Sequence, residues 1–156
     1  MNILALDQSS TLTGYSIFNT ETKELIKSGL INLSGKTIEQ RLFLLRTKVS
    51  ELITENDIKK LYLEDIQLQS NVSNNVTTYK VLAYVIGNLI ELSEEKQIPY
   101  ELVPSTVWKS SLGIKGRKRE EQKANAKAYV SNTYNLNVST DIADAICIGA
   151  HVVKKN

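Results

Sequence analysis

Asp7 closes a short apolar run, Ile3-Leu4-Ala5-Leu6, whose length and composition suit a buried β-strand. A carboxylate at the end of a core strand is costly to desolvate and calls for a compensating role. Glu64 ends a second strand-like run, Leu61-Tyr62-Leu63, and Asp141 and Asp144 open the last helical segment. Four carboxylates on three core elements restrict the chain to folds that can gather them, and they suggest a metal site. Such a gathering is tolerated where a cation neutralises it. All-oxygen donors suit Mg²⁺ or Mn²⁺, and two such ions about 3.5–4 Å apart serve in-line displacement at phosphorus.

Periodicity supplies the elements. Ile3 to Asp7, Gly14 to Phe18 and Leu25 to Leu33 read as three strands joined by short turns, an antiparallel meander. Ile38, Leu42, Leu45, Val49 and Leu52 fall on one helical face, which predicts an amphipathic helix ending near Asn56. Leu61 to Glu64 is a fourth strand. A long helix is expected from about Val72 to Lys96, and its apolar residues cover more than half its circumference. One sheet cannot bury so wide a face, so other helices or a second subunit must cover it. Pro99 to Val103 is a fifth strand, and Pro104-Ser105-Thr106 starts a short helix carrying Trp108. Helices near Glu120 to Tyr134 and near Thr140 to Val153 complete the chain, the last with Thr140 as its N-cap. Asp141 and Asp144 then project about 60° apart on one helix face, separated by roughly 4.5 Å of rise. Their apolar neighbours Ile142, Ala143, Ala145 and Ile146 turn that face toward the core.

At 156 residues, 42% hydrophobic and 23% charged, the expectation is one α/β domain over residues 1–156 with a single core. Cys147 is the only cysteine, which excludes an internal disulfide. No run approaches the roughly 18 apolar residues of a membrane span, and the N-terminus lacks the pattern of a signal peptide, so the expected compartment is cytoplasmic. The net charge of +2 says little, but Lys109, Lys115, Arg117, Lys118, Arg119 and Lys123 cluster, with Gly113 and Gly116 loosening the backbone between them. Such a stretch reads as an arm for nucleic-acid phosphates.

The order of these elements resembles the RNase H-like nucleases, and within them the RuvC-type Holliday junction resolvases. The resemblance spans essentially the whole chain. It rests on Ala5-Leu6-Asp7 followed by Thr13-Gly14-Tyr15-Ser16, on Leu63-Glu64, on Pro104-Ser105-Thr106-Val107-Trp108-Lys109 with Gly113, and on Asp141-Ile142-Ala143-Asp144-Ala145. It implies a five-stranded mixed sheet, a meander followed by parallel strands, flanked by helices. It further implies that Asp7, Glu64, Asp141 and Asp144 are the catalytic, metal-binding carboxylates and that Lys109 and Lys123 meet DNA near the cleaved phosphate. The implied enzyme is a Mg²⁺-dependent endonuclease, with Mn²⁺ able to substitute. It acts as a homodimer on branched DNA and resolves four-way junctions by paired symmetric nicks. Where cellular relatives follow the first aspartate with Pro-Gly, this chain has Gln8-Ser9-Ser10, and Gln67 stands where they carry a stacking aromatic. These departures point to a divergent bacteriophage-type resolvase, with a nuclease for flaps, forks or RNA–DNA hybrids as the alternative.

The remaining polar and aromatic residues read as structural. His151 lies about 10.5 Å along the helix from Asp144, beyond reach of a shared ion. Cys147 is a small core residue, Trp108 an anchor between helix and sheet, and Asp65 faces away from Glu64. Ser9, Ser10 and Thr11 form a polar turn.

Overall fold

A computed structural model of the chain describes residues 1–67 and 75–156. Five strands, β1 (Asn2–Asp7), β2 (Leu12–Asn19), β3 (Leu25–Asn32), β4 (Ile58–Glu64) and β5 (Tyr100–Val103), form one sheet in the order β3-β2-β1-β4-β5. The meander β1-β2-β3 is antiparallel, and β1-β4 and β4-β5 are parallel. The expected mixed sheet is the observed one. Helices α1 (Ile38–Glu55) and α2 (Asn75–Glu95) cover one face of the sheet. Helices α3 (Ser105–Leu112), α4 (Arg119–Tyr134) and α5 (Thr140–Lys155) cover the other.

The central strand explains its own sequence. Both faces of β1 are covered, so its interior is continuously apolar instead of alternating with polar residues, and Ile3, Leu4, Ala5 and Leu6 are all fully buried. Side-chain parity then sorts them. Leu4 and Leu6 pack with Leu45, Val49, Val85 and Leu89 beneath α1 and α2, while Ile3 and Ala5 pack with Ala143 and Ile146 of α5. Continuing that alternation puts Asp7 on the α5 face. The same rule in β4 sends Leu61 and Leu63 to the α1–α2 side and Tyr62 to the α5 side, so Glu64 follows Tyr62 toward α5.

Close packing of α5 on β2 depends on small residues. Gly14 pairs with Asp7 across the sheet, and a Cβ built on it would stand 2.0 Å from the Asp141 carbonyl oxygen. Ser16 Oγ donates to the Ala145 carbonyl at 2.7 Å, and Gly149 admits the Phe18 ring. The N-terminus of α5 is therefore held directly beside the end of β1.

Several boundaries differ from the sequence expectation. The N-cap of α5 is Ser139, not Thr140: Ser139 is extended and its hydroxyl accepts the Ile142 N–H, while Thr140 is already helical. Either hydroxyl suits a cap, and only backbone geometry distinguishes them. Strand β4 begins at Ile58, because Asp57 turns the chain in a left-handed conformation and delivers a buried Ile58 directly after it. The expected start of the long helix near Val72 lies outside the described residues. At α1 the capping box of Thr37 and Gln40 fixes the first turn. Among the described residues no helix is long and apolar enough to cross a membrane.

Gly14→Ala should cost roughly 1–3 kcal/mol in urea unfolding, since the added methyl meets main chain that no rotamer change can move. A loss below about 0.5 kcal/mol, the range of ordinary surface substitutions, would contradict the tight β2–α5 contact.

Candidate active site

The sheet brings three distant stretches of sequence to one place. Leu6 pairs with Leu63 across the parallel β1–β4 ladder, so Asp7 and Glu64 extend from adjacent strand ends onto the same face. The Gly14 contact sets Asp141 beside Asp7, and Asp144 follows one turn along α5. Glu64, Asp144 and Asp141, the other three carboxylates singled out in the sequence, thus all act electrostatically on Asp7.

Their proton affinities record that crowding. Burial, then the charges of Glu64, Asp144 and Asp141, push Asp7 well above the usual carboxylate range, against the pull of Lys123. Burial likewise raises Glu64, opposed by a hydrogen bond from Trp108 and by Lys109 and Arg119. Asp144 is pushed up to about 7, first by burial and next by Glu64, with Lys109 and Lys123 acting the other way. Every donor is a hard carboxylate oxygen, a set that fits Mg²⁺ or Mn²⁺ rather than a softer metal. Among the described residues, no three acidic, histidine or cysteine side chains already surround a single point as metal ligands.

The six basic residues divide into two groups. Lys109, Arg119 and Lys123 act on the carboxylates directly. Lys109 Nζ also donates to Gln122 Oε1 at 3.0 Å and sits 5.2 Å from the centroid of the Trp108 ring. Lys115, Arg117 and Lys118 are exposed on the α3–α4 connection. That connection is built rather than loose: Gly113 closes α3 in a left-handed turn, Ile114 is buried, and Gln122 Nε2 and Asn125 Nδ2 donate to the carbonyls of Gly116 and Lys115. The two glycines shape the arm instead of freeing it.

Two neighbours of Glu64 escaped the sequence reading. Trp108 is fully buried as the expected anchor, yet its Nε1–H also donates to Glu64 Oε2 at 3.0 Å. A buried tryptophan needs an acceptor for that proton, and this was the available signal. Gln8 is buried too: its Nε2 donates to the Glu64 carbonyl at 2.6 Å and its Oε1 accepts the Glu64 N–H at 3.1 Å. Arg41 of α1 donates to Ser10 Oγ at 3.2 Å, bringing a guanidinium to the turn after Asp7.

The residues read as structural take up matching places. Ser9 Oγ donates to the Leu12 carbonyl at 2.6 Å and accepts the Leu12 N–H, forming the polar turn. Cys147 is fully buried, and that burial raises its thiol pKa far above normal. His151 is buried, and burial and then Lys155 lower its proton affinity, with Glu101 opposing and none of the four site carboxylates contributing. Gln67 is exposed just beyond β4, and Leu68 and Gln69 lie outside the described residues.

The family described as crossover junction endodeoxyribonuclease RuvC matches residues 3–151, and the chain belongs to that family. None of the curated proteins matches it. Among solved structures it is similar to Thermus thermophilus RuvC in complex with a Holliday junction substrate, with a TM-score of 0.76 and 14% identity over 97% of this chain and 92% of that one. It is also similar to the fowlpox virus resolvase in complex with Holliday junction DNA, with a TM-score of 0.64 and 18% identity over 99% and 98% of the two chains. A third likeness is to the yeast mitochondrial Holliday junction resolvase, with a TM-score of 0.59 and 16% identity over 97% and 77%. At these identities the three structures speak to the shared fold.

A raised carboxyl pKa has a consequence for stability. An aspartate that holds its proton more tightly when folded costs the protein stability as pH rises from its unfolded pKa, about 4, through its folded value, here about 7 for Asp144. Asp144→Asn should therefore stabilise the metal-free protein above pH 7, by an amount on the order of 1–3 kcal/mol, and change little near pH 4. Melts in EDTA across that range test this. A gain of equal size at both ends would contradict it.

Proposed function

We propose that this chain resolves four-way DNA junctions by metal-assisted phosphodiester hydrolysis, working as one nuclease domain within a homodimer. The observation that carries the reading is the burial of Asp7, Glu64 and Asp144 together, which raises all three, with Glu64 adding to the rise at Asp7 and Asp144, beside Lys109, Arg119 and Lys123. Buried carboxylates that repel one another are retained at a cost to stability, and a divalent cation converts that repulsion into attraction. RuvC-like nucleases depend on a divalent metal. Here Asp7, Glu64, Asp141 and Asp144 would hold Mg²⁺, in two ions, with Mn²⁺ able to replace it. When bound, the metal supplies an activated water and charge stabilisation at the leaving oxygen.

The chain's own residues do the rest. Lys109 and Lys123, half-buried beside the carboxylates, stabilise the negative charge that grows on the phosphate during displacement. Arg119 stands with them near Glu64. Lys115, Arg117 and Lys118 lie farther out and bind phosphates that position the duplex arms without reading their sequence.

Assembly follows from the other face of the sheet. Helices α1 and α2 leave Phe43, Val76, Tyr79 and Tyr84 exposed, with Phe43 69% and Tyr84 53% accessible. A two-fold pairing through this layer buries them and presents two equal sites to two strands of like geometry. The second reading, a nuclease for flaps, forks or hybrids, draws on Gln67, whose exposed position beyond β4 carries no stacking ring.

A labelled junction, fork, flap and linear duplex, each incubated with Mg²⁺ or EDTA, separate the readings. Paired symmetric nicks in the junction are expected; cleavage confined to flaps or forks favours the second reading. Asp7→Asn, Glu64→Gln and Asp144→Asn should each lower single-turnover cleavage on the order of 100-fold or more while DNA binding in Ca²⁺ persists. Substantial cleavage by any of them removes that residue from the site. Junction affinity should fall steeply with salt, by roughly 0.9 in logarithmic slope for each phosphate contact. Alanine at Lys115, Arg117 and Lys118 should flatten that slope, and alanine at Lys109 or Lys123 should slow cleavage more than it weakens binding.

A further inference from the structure

Glu64 is hydrogen-bonded by side chains from two other parts of the chain, Gln8 just after β1 and Trp108 on α3. Its main chain is gripped by the Gln8 carboxamide, which donates to the Glu64 carbonyl at 2.6 Å and accepts the Glu64 N–H at 3.1 Å. The side-chain amide thereby extends the β1–β4 ladder past Leu6 and Leu63, its last residue pair. Its carboxylate is held by Trp108, whose indole N–H donates to Oε2 at 3.0 Å. Among the described residues, Oε1 has no hydrogen bond.

We propose that Trp108 is a positioning residue: it fixes Glu64 Oε2 through its indole N–H and thereby leaves Oε1 oriented for the metal. The inference rests on the reading of Glu64 as a metal ligand. A buried indole N–H needs an acceptor, but a neutral carbonyl would serve it without placing a carboxylate near Asp7 and Asp144. Groups that orient a metal-binding carboxylate from behind govern affinity nearly as strongly as the ligands themselves. The face of the same ring lies 5.2 Å from Lys109 Nζ, so one side chain sets both an acid and a cation. Trp108 is the only tryptophan in the chain, which gives the arrangement its own probe.

Trp108→Phe keeps an aromatic ring under Lys109 and removes only the donor to Glu64, apart from some packing volume. In the DNA-free protein, Ca²⁺ titrated against amide shifts should bind about 10–100-fold more weakly to this variant. The Mg²⁺ concentration for half-maximal cleavage should rise by a similar factor, with most of the maximal rate recovered at saturation. A lowered melting temperature with metal affinity within about twofold of the parent would make Trp108 a packing residue only and overturn the proposal. The parent protein supplies a second test should the variant fail to fold. Its single indole N–H resonance should move as Ca²⁺ saturates the site, and a resonance that stays in place would also overturn the proposal. Glu64→Gln separates this inference from the reading beneath it. Undiminished Ca²⁺ binding by Glu64→Gln removes Glu64 as a ligand, whereas loss there with none in Trp108→Phe overturns the role of Trp108 alone.

Discussion

The contact on which the site depends is the seating of α5 on β2 at Gly14. A helix normally packs on a sheet with side chains filling the space between. Here Gly14 has no side chain, Ser16 hydrogen-bonds the helix backbone, and Gly149 yields to Phe18, so the helix lies close. Because Gly14 pairs with Asp7, that closeness brings Asp141 and then Asp144 to the end of the central strand. Strand parity supplies the other two carboxylates. Asp7 and Glu64 take the α5 face because Ala5 and Tyr62, two residues before them, already occupy it.

This arrangement works against stability. Burial raises the proton affinity of Asp7, Glu64 and Asp144, neighbouring carboxylates add to it at Asp7 and Asp144, and Asp144 sits near 7 in consequence. Lys109, Arg119 and Lys123 offset part of the repulsion, and all three come from α3 and α4, elements that pack with α5 on the same side of the sheet. The apolar core bears the cost. Helix α5 buries every residue from Ala145 to Val153, and β1 is buried from Ile3 to Leu6. A strained, charged site is thus carried by the most deeply packed strand and helix, where its geometry can be held.

Most of this was legible in the sequence, because the signals were long-range repeats of simple rules. The continuous apolar run of β1, the meander spacing and the helical period of Leu45, Val49 and Leu52 gave the elements, and their order gave the sheet. The four acidic positions stood out because each interrupts an apolar stretch. What escaped notice depends on atoms rather than patterns. Ser139 and Thr140 are equally suited to cap a helix, and only the backbone chooses between them. Gln8 stands out in the sequence only as a departure from Pro-Gly, and its role shows once the chain is folded and its amide completes a ladder. Trp108 reads as core, which it is, but the partner of its N–H lies 44 residues away. Within the basic arm the family resemblance set Lys109 and Lys123 apart, but nothing in the sequence put Arg119 beside Glu64.

The central claim is that the α5–β1–β4 corner is a divalent-metal site, and anomalous diffraction from crystals soaked in Mn²⁺ addresses it most directly. The account predicts anomalous density bounded by Asp7, Glu64 Oε1 and Asp144, with Oε2 still on the Trp108 N–H. Density elsewhere, or none at Mn²⁺ concentrations that support cleavage, would contradict it.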